Sequence, residues 1–153
     1  MAYIFIHFLP TAAMTLIKPH ERISLAQQIG HESVFAVVNE FYDLIQHHHS
    51  LAIPFGSVEH WDEHKKKITE FWWTALGGQP TESYQYNPVA KHAAAGFNHG
   101  LLEDWKNLFK QVLSKHLTEQ LAAQWFDRVT LIGSNLERIN DQLLRENTPL
   151  PPK

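Results

Sequence analysis

The apolar residues of this chain recur with a helical period along most of its length. Between Glu32 and about His48 they fall at intervals of three and four residues, which is typical of an amphipathic helix. A second such stripe begins at Trp61 and is stopped by the glycine pair Gly77 and Gly78. We therefore expect two long helices in the first half of the chain.

The second half of the chain repeats this pattern. One stripe runs from Leu101 to Leu113, and another follows Thr118, a residue suited to cap a helix, and continues to Leu143. A shorter helix is expected between Leu16 and Gln28, and no segment shows the alternation of a strand beyond a few residues. The pattern predicts an all-α protein with four main helices.

The segment between the second and third of these helices has no period. About twenty residues from Gly77 to Gly96 show little helix, whereas connections in small bundles usually span about 2–8 residues. Asn87 and Pro88 supply a cap and a first-turn proline, so a short helix is expected to start just before His92. A cofactor filling this space would explain so long a connection.

Length and composition favour one globular domain. The chain has 153 residues, of which 44% are hydrophobic and 19% charged. We expect the domain over residues 21–147, a poorly defined N-terminal extension over residues 1–20 and a flexible, proline-rich tail over residues 148–153. As a hypothesis, the functional start lies at Met14.

Charge and cysteine content exclude several classes of function. A formal net charge of −3 and a pI of about 6.4 argue against a nucleic-acid partner. The lack of cysteine excludes disulfide scaffolds, thiolate nucleophiles, iron–sulfur clusters and covalently attached c-type haem. No stretch approaches the ~20 apolar residues that cross a bilayer, and the first residues make a poor secretory signal, so we expect a cytoplasmic chain and no membrane association.

Histidines and aromatic residues supply the candidate chemistry. The chain has eleven histidines, five tryptophans, nine phenylalanines and four tyrosines, and imidazole is the usual protein ligand for haem iron or a borderline metal. His64 lies inside the second stripe, where its ring is either a hydrogen-bonded core group or faces a bound ligand. His92, followed by three alanines, is either an ordinary loop residue or lies beside a large flat molecule. Tyr42 and Trp105 can direct a hydroxyl and an indole N–H inward from two other helices.

The remaining histidines have simpler interpretations. His60 and His64 are four residues apart, but Trp61 turns the inward face toward His64, so a zinc pair is not expected. The histidines at positions 47–49 would complement the C-terminus of the first long helix. Five others share no spacing and are expected in solvent: His7, His20, His31, His99 and His116.

Several short motifs follow one another in a fixed order. The first four are Phe41-Tyr42-Asp43-Leu44-Ile45, Pro54-Phe55, Trp61-x-x-His64-x-x-x-Ile68-x-x-Phe71-Trp72 and Gly77-Gly78. The others are Tyr84, Pro88-x-x-x-His92 and Leu102-x-x-Trp105-x-x-Leu108-Phe109. Their succession, from about Glu32 to Ile139, resembles the truncated haemoglobins, and most closely their group III.

The resemblance implies a truncated globin fold, a 2-on-2 helical sandwich around haem with a loop-rich proximal segment. It makes His92 the proximal iron ligand and sets Phe55 against the haem face, with Phe71 as a pocket wall. It places Tyr42, His64 and Trp105 around the distal ligand. Of these three, His64 and Trp105 also contact haem. With one axial histidine and no cysteine, the implied cofactor is noncovalent haem b, the iron complex of protoporphyrin IX.

The lysines of the second helix could meet the haem propionates, together with Lys91. The run at positions 65–67 is nevertheless typical of a solvated helix face, and we favour that interpretation.

A site of this kind has functional consequences. Donors around the ligand would stabilise partial negative charge on bound O₂, so we expect tight binding and slow release at an iron whose resting sixth position is open or holds water rather than His64. Slow release suits nitric oxide oxidation or peroxide activation, with electrons from a reductase, better than O₂ transport; nitric oxide and CO are further ligands. The alternatives are a gas or redox sensor that signals to a separate partner, and a haem-free bundle with ordinary histidines.

Overall fold

The computed structural model describes residues 22–81 and 97–147, and these two ranges contain five α-helices and no strand. The helices are α1 (Leu25–Ile29), α2 (His31–Ile45), α3 (Trp61–Ala75), α4 (His99–His116) and α5 (Glu119–Glu146). The predicted all-α fold with four main helices is confirmed. The expected extension, the tail and the short helix near His92 lie outside the described residues.

Side-chain caps fix where three of the helices begin. At α1 the Ser24 hydroxyl accepts the backbone N–H of Gln27, while the Gln27 side chain accepts the backbone N–H of Ser24. Asn98 and Thr118 accept backbone N–H groups from the first turns of α4 and α5. Thr118 is the cap that the sequence predicts.

The four long helices form two pairs. One pair is α2 with α3 and the other is α4 with α5; α2 also packs on α4, and α1 touches both α2 and α5. Phe109 lies where the pairs meet. Its ring centroid is 4.6 Å from that of Phe41, 5.2 Å from that of Trp72 and 5.8 Å from that of Trp125. Burial of these large rings removes much apolar surface from water, and it holds the two pairs together.

Two glycines end α3. Gly77 has a φ of +93°, a left-handed conformation that favours glycine. A Cβ on Gly78 would lie 2.4 Å from the Trp73 indole, whose N–H donates to the carbonyl of Gln79 at 2.8 Å. The predicted stop is therefore confirmed, and its second glycine is required because the chain folds back over Trp73.

Two helix boundaries differ from the prediction. α1 starts only at Leu25, because the chain is extended at Ser24, where the cap forms. α2 ends at Ile45 rather than near His48, where the backbone N–H groups of His47 and His48 bond to carbonyls three residues earlier and tighten the turn. The three consecutive histidines therefore follow the helix instead of forming its last turn.

The expectation of a fully solvated lysine run is wrong for one of its members. Lys66 and Lys67 are exposed, whereas Lys65 is only 7% exposed. Lys65 follows Trp61 by four residues and precedes Ile68 by three, so the helical period turns it inward with them. Its ammonium is paired with polar groups of α2.

Three of the histidines expected in solvent are exposed, and each also contacts a glutamate of a neighbouring helix. The pairs are His31 with Glu70, His99 with Glu137, and His116 with Glu40. These histidines remain partly exposed, so they lie at the edges of helix junctions rather than in the core. In the part of the chain that is described, no helix combines the length and apolar character needed to span a membrane.

Candidate functional site

The site begins with two side chains that α2 and α3 turn toward each other. Tyr42 lies at an inward position of α2 and is 5% exposed, and His64 occupies an inward position of α3. Their ring centroids are 4.9 Å apart and the ring planes are nearly perpendicular. The structure thus brings together a phenol and an imidazole, the two polar groups that the sequence predicts from these helices.

Two further aromatic residues enclose this pair. Phe55, from the turn region after α2, has its ring 5.7 Å from that of Tyr42 and 6.4 Å from that of His64. Trp61, in the first turn of α3, lies 6.1 Å from Tyr42 and 5.8 Å from His64. We call these four residues, Tyr42, Phe55, Trp61 and His64, the distal cluster.

Trp105 reaches the distal cluster from α4 through Phe41. The ring of Phe41 lies 6.2 Å from Trp105 and 5.2 Å from Tyr42. Trp105 is 4% exposed, and its indole N–H is buried without a hydrogen-bond acceptor among the described residues. Because a buried donor left without an acceptor loses its hydration uncompensated, this N–H indicates a position where a bound molecule can accept.

Trp125 shows why location matters in that argument. Its indole N–H is also buried without an acceptor in the described ranges, and its side chain is fully buried. Its ring, however, contacts Trp72 and Phe109 in the hydrophobic core between the helix pairs. Trp105 also contacts Phe109, at 5.6 Å between ring centroids, but only Phe41 separates its ring from that of Tyr42, so of the two indole N–H groups we take that of Trp105 as the candidate ligand donor.

Sequence reasoning missed two members of this region. The sequence predicts an inward position for Trp61 and gives it a place in the family motif but no role at the site, and it assigns nothing to Phe97, which is 6% exposed and whose ring centroid lies 6.3 Å from that of Phe55. The contacts of Phe55 and Phe97 arise where two loops meet, so helical spacing gives no signal for them. The signal for Trp61 was its spacing of three residues from His64.

Two predicted haem contacts are not part of the distal cluster. Phe71 lies on the same face of α3 as His64, two turns further on, and its ring contacts Trp72 at 5.3 Å. His92 lies outside the described residues. Its role as iron ligand, and that of Phe71 as pocket wall, stay predictions.

The chain is anchored where it leaves α3 toward the proximal segment. The Thr81 hydroxyl donates to one oxygen of Glu70 at 2.7 Å, and the His31 ring contacts the other oxygen at 2.7 Å. Burial of the Glu70 carboxyl would raise its pKa, but the hydrogen bonds from Thr81 and His31 outweigh it and hold the pKa below its ordinary value. Glu70 is thus ionised at neutral pH and fixes the start of the segment that carries His92.

Taken together, the arrangement is a largely apolar cluster with a few hydrogen-bonding groups. Tyr42 offers an O–H, Trp105 an N–H, and His64 a ring nitrogen that donates or accepts according to its tautomer. Such groups can stabilise partial negative charge on a small bound molecule in surroundings from which water is excluded.

Comparisons with known proteins agree with this geometry. A family model described as bacterial-like globin matches residues 24–136. A group 3 truncated hemoglobin of Campylobacter jejuni is 27% identical over 119 residues, which are 74% of this chain and 92% of that protein. The crystal structure of a group III truncated hemoglobin from Campylobacter jejuni has a TM-score of 0.66 and 26% identity, with 72% of this chain and 91% of that chain covered.

The matched family region contains the whole of the site. It begins before α1, ends within α5 and includes the distal cluster, Trp105 and the position of His92. The expected truncated globin fold, most like group III, is confirmed by these matches. Globins bind haem and, through it, small gaseous ligands such as O₂. By its sequence, its helices and the match over most of its length, the chain belongs to the bacterial-like globin family.

Proposed function

We propose that this chain binds noncovalent haem b through His92 and acts on a small ligand instead of carrying O₂. Haem held by His92 would supply an iron that can bind a small molecule. The described residues fit that group, since Phe55 and Phe97 form an apolar contact surface next to polar residues that can reach a ligand. Phe71 is proposed as a further wall.

The observation that carries the proposal is the buried N–H of Trp105. It has no acceptor among the described residues and lies one ring away from Tyr42. Trp105 and Tyr42 each donate a hydrogen bond to a ligand carrying partial negative charge, and His64 donates or accepts a third. Each bond contributes on the order of 1 kcal/mol, so together they slow ligand release by large factors.

Slow release favours a reaction within the pocket over delivery of O₂. We propose nitric oxide oxidation by O₂, or activation of peroxide, as that reaction. Tyr42, His64 and Trp105 orient the ligand and hold its charge, while the surrounding rings exclude water. Turnover with nitric oxide requires one electron in each cycle, which we assign to an external reductase.

The first test is the visible spectrum of the purified protein in its ferric, ferrous and CO-bound forms. A Soret band in every form is expected, and replacement of His92 with Gly should remove the axial bond or the pigment. Retention of an unaltered axial bond in His92→Gly would refute the ligand assignment. A preparation that stays colourless with ample haem would instead support a haem-free bundle.

The second test separates a catalyst from a gas sensor. Nitric oxide consumption and peroxide-dependent oxidation are measured with the haem protein, with the Tyr42→Phe variant and with free haemin. We expect faster turnover with the protein than with haemin, and a change in the rate with Tyr42→Phe. Rates no greater than those of haemin would favour a sensor that signals to a separate partner.

A further inference from the structure

A polar link between α2 and α3 lies beside the contact of Tyr42 with His64. The Lys65 ammonium donates to Asp43 Oδ1 at 2.6 Å and to Asn39 Oδ1 at 3.0 Å. Asp43 directly follows Tyr42 in α2, and Lys65 directly follows His64 in α3. The link therefore joins the two helices at the level where their side chains form the distal cluster.

The link is buried on one side only. The Lys65 side chain is 9% exposed, whereas that of Asp43 is 55% exposed. Burial of an ammonium costs free energy, and an apolar side chain of similar length at this position would fill the same space without that cost. Stability alone is thus a weak reason for a lysine at this position.

Geometry gives a stronger reason. Asn39 and Asp43 are one helical turn apart on α2, and Asn39 Nδ2 lies 3.4 Å from Asp43 Oδ2. An ammonium held by both oxygens is fixed along the axis of α2 as well as across the gap between the helices. Apolar contact is not directional and permits sliding, whereas charge-assisted hydrogen bonds weaken steeply with distance and angle.

On the α3 side the backbone of Lys65 is held as well. Its carbonyl oxygen accepts a hydrogen bond at 2.8 Å from the hydroxyl of Thr69, which is 2% exposed. The ammonium of Lys65 is therefore tied to α2 while its backbone is tied to the next turn of α3.

We propose that Lys65 is a positioning residue, which acts through Asp43 and Asn39 to set the register of α2 against α3 and so aims Tyr42 and His64 at the ligand. This inference rests on the proposed function, because the effect is felt at the ligand. Lys65 itself does not touch the distal cluster in this account. Loss of the Lys65 ammonium leaves the hydrogen-bonding groups of Tyr42 and His64 present but no longer aligned with the ligand.

The experiment compares Lys65→Met with Lys65→Arg in the haem protein. Lys65→Met keeps an unbranched side chain one atom shorter and removes its charge, and the Asp43 carboxylate that remains is more than half exposed. Lys65→Arg retains the charge and donors for both oxygens. Lys115→Met is the matched control, because Lys115 also ties α2 to another helix, through Glu40 at 2.7 Å, but away from the cluster.

Two readouts report on the ligand. We expect Lys65→Met to raise the O₂ dissociation rate about fivefold, the effect of losing roughly one hydrogen bond, and to shift the C–O stretching band of the CO-bound form to higher frequency or split it. Lys65→Arg should stay closer to wild type on both, and Lys115→Met should leave both unchanged. Unchanged readouts in Lys65→Met, with only a lower unfolding midpoint, would show a purely structural lysine and overturn the inference.

Two further measurements keep the outcome decisive. If Lys65→Met does not fold, Asp43→Asn, which removes the charge and keeps an acceptor, should shift the C–O band in the same direction, and no shift would count against the inference. If even the wild type takes up no haem, the proposed function fails. The positioning role of Lys65 is then tested by the NMR cross-peaks between the Tyr42 and His64 rings. Their loss in Lys65→Met but not in Lys115→Met would support the positioning role, and their persistence would refute it.

Discussion

At the scale of single residues, Trp105 and Trp125 carry the same buried indole N–H in different surroundings. Neither donor has an acceptor among the described residues. Trp125 lies in the core beside Trp72 and Phe109, while Trp105 is separated from Tyr42 by one phenylalanine ring. In the proposed function the same chemical group is a cost of packing at Trp125 and a donor to the ligand at Trp105.

This difference can be measured with matched substitutions. Trp105→Phe keeps a ring against Phe41 and removes the donor, so we expect the O₂ dissociation rate to rise about fivefold, and Tyr42→Phe to have an effect of similar size. Trp125→Phe removes an equivalent donor in the core and should leave that rate unchanged. Stopped-flow O₂ displacement gives all three rates, and an unchanged rate in Tyr42→Phe would refute its role as a donor.

At the scale of helices, α2 makes contacts with three neighbouring helices. It carries Tyr42 and packs on α1, α3 and α4. Its link to α4 includes the Glu40 carboxylate, which binds Lys115 at 2.7 Å and also pairs with His116. Hydrogen bonds from Lys115 and then from His116 hold the pKa of Glu40 below its ordinary value.

The lowered pKa of Glu40 gives a pH dependence of stability. A carboxyl whose pKa is lower in the folded state stabilises the fold above its unfolded pKa, ordinarily about 4.5, and loses that contribution as the pH falls through the folded pKa. The free energy of unfolding of wild type should therefore exceed that of Glu40→Gln at pH 7, and the difference should shrink as the pH falls below about 4.5. Urea titrations at several pH values measure it; a constant difference would contradict the assignment.

The close contact at the end of α3 gives a second prediction for an element. A methyl group on Gly78 would meet the Trp73 indole at 2.4 Å, so Gly78→Ala should lower the free energy of unfolding by about 1–3 kcal/mol. Gly100→Ala is the control, because its new methyl would have its nearest neighbour at 3.5 Å, in the first turn of α4. Thermal unfolding compares the two, and equal midpoints would show that Trp73 moves aside freely.

The helices were largely predictable from the sequence, and their contacts were not. Three- and four-residue spacing fixed α2 to α5 to within a few residues, because a helix that buries one face must repeat its apolar positions. Lys65 shows the limit: its spacing from Trp61 and Ile68 already turned it inward, but a run of three lysines is usually solvated. Phe97 depends on the path of two loops, which no periodicity encodes.

For the candidate site too, the positions of some residues could be predicted from the sequence and their contacts could not. Tyr42, His64 and Trp105 were predicted from their places on three helices. The structure brings the first two into ring contact, and one phenylalanine ring separates Trp105 from Tyr42. Their roles toward haem and ligand stay predictions, as does that of His92. The contacts of Trp61 with Tyr42 and His64 were not predicted, because helical spacing shows that a residue faces inward but not which residues it contacts.

At the scale of the whole molecule, the proposed haem site combines the distal cluster with the segment that carries His92. The distal cluster is already assembled by α2, α3 and their connection, while the proposed ligand His92 lies in a segment between α3 and α4. If haem binds as proposed, it would lie between these parts as a component of the core. Its removal should therefore weaken the whole fold rather than one helix.

This dependence predicts a shift in stability. A cofactor that binds only the folded chain stabilises it by about 4 kcal/mol when its free concentration is a thousand times its dissociation constant. The unfolding midpoint of the haem protein should thus lie well above that of the apoprotein, in a urea titration followed by circular dichroism. His92→Gly should lose most of this difference, and equal midpoints for the two wild-type forms would contradict a haem that is part of the core.

The placement of the tryptophans offers a means to follow these events without added labels. Trp61 belongs to the distal cluster, Trp105 adjoins it, and Trp72 and Trp125 share the neighbouring core. A porphyrin bound at the proposed site would accept their excitation energy. Tryptophan fluorescence should therefore be quenched in the haem protein and recover when haem is lost. Intrinsic fluorescence then gives the rate of cofactor loss, and these four indoles of the interior report whether the cofactor is in place.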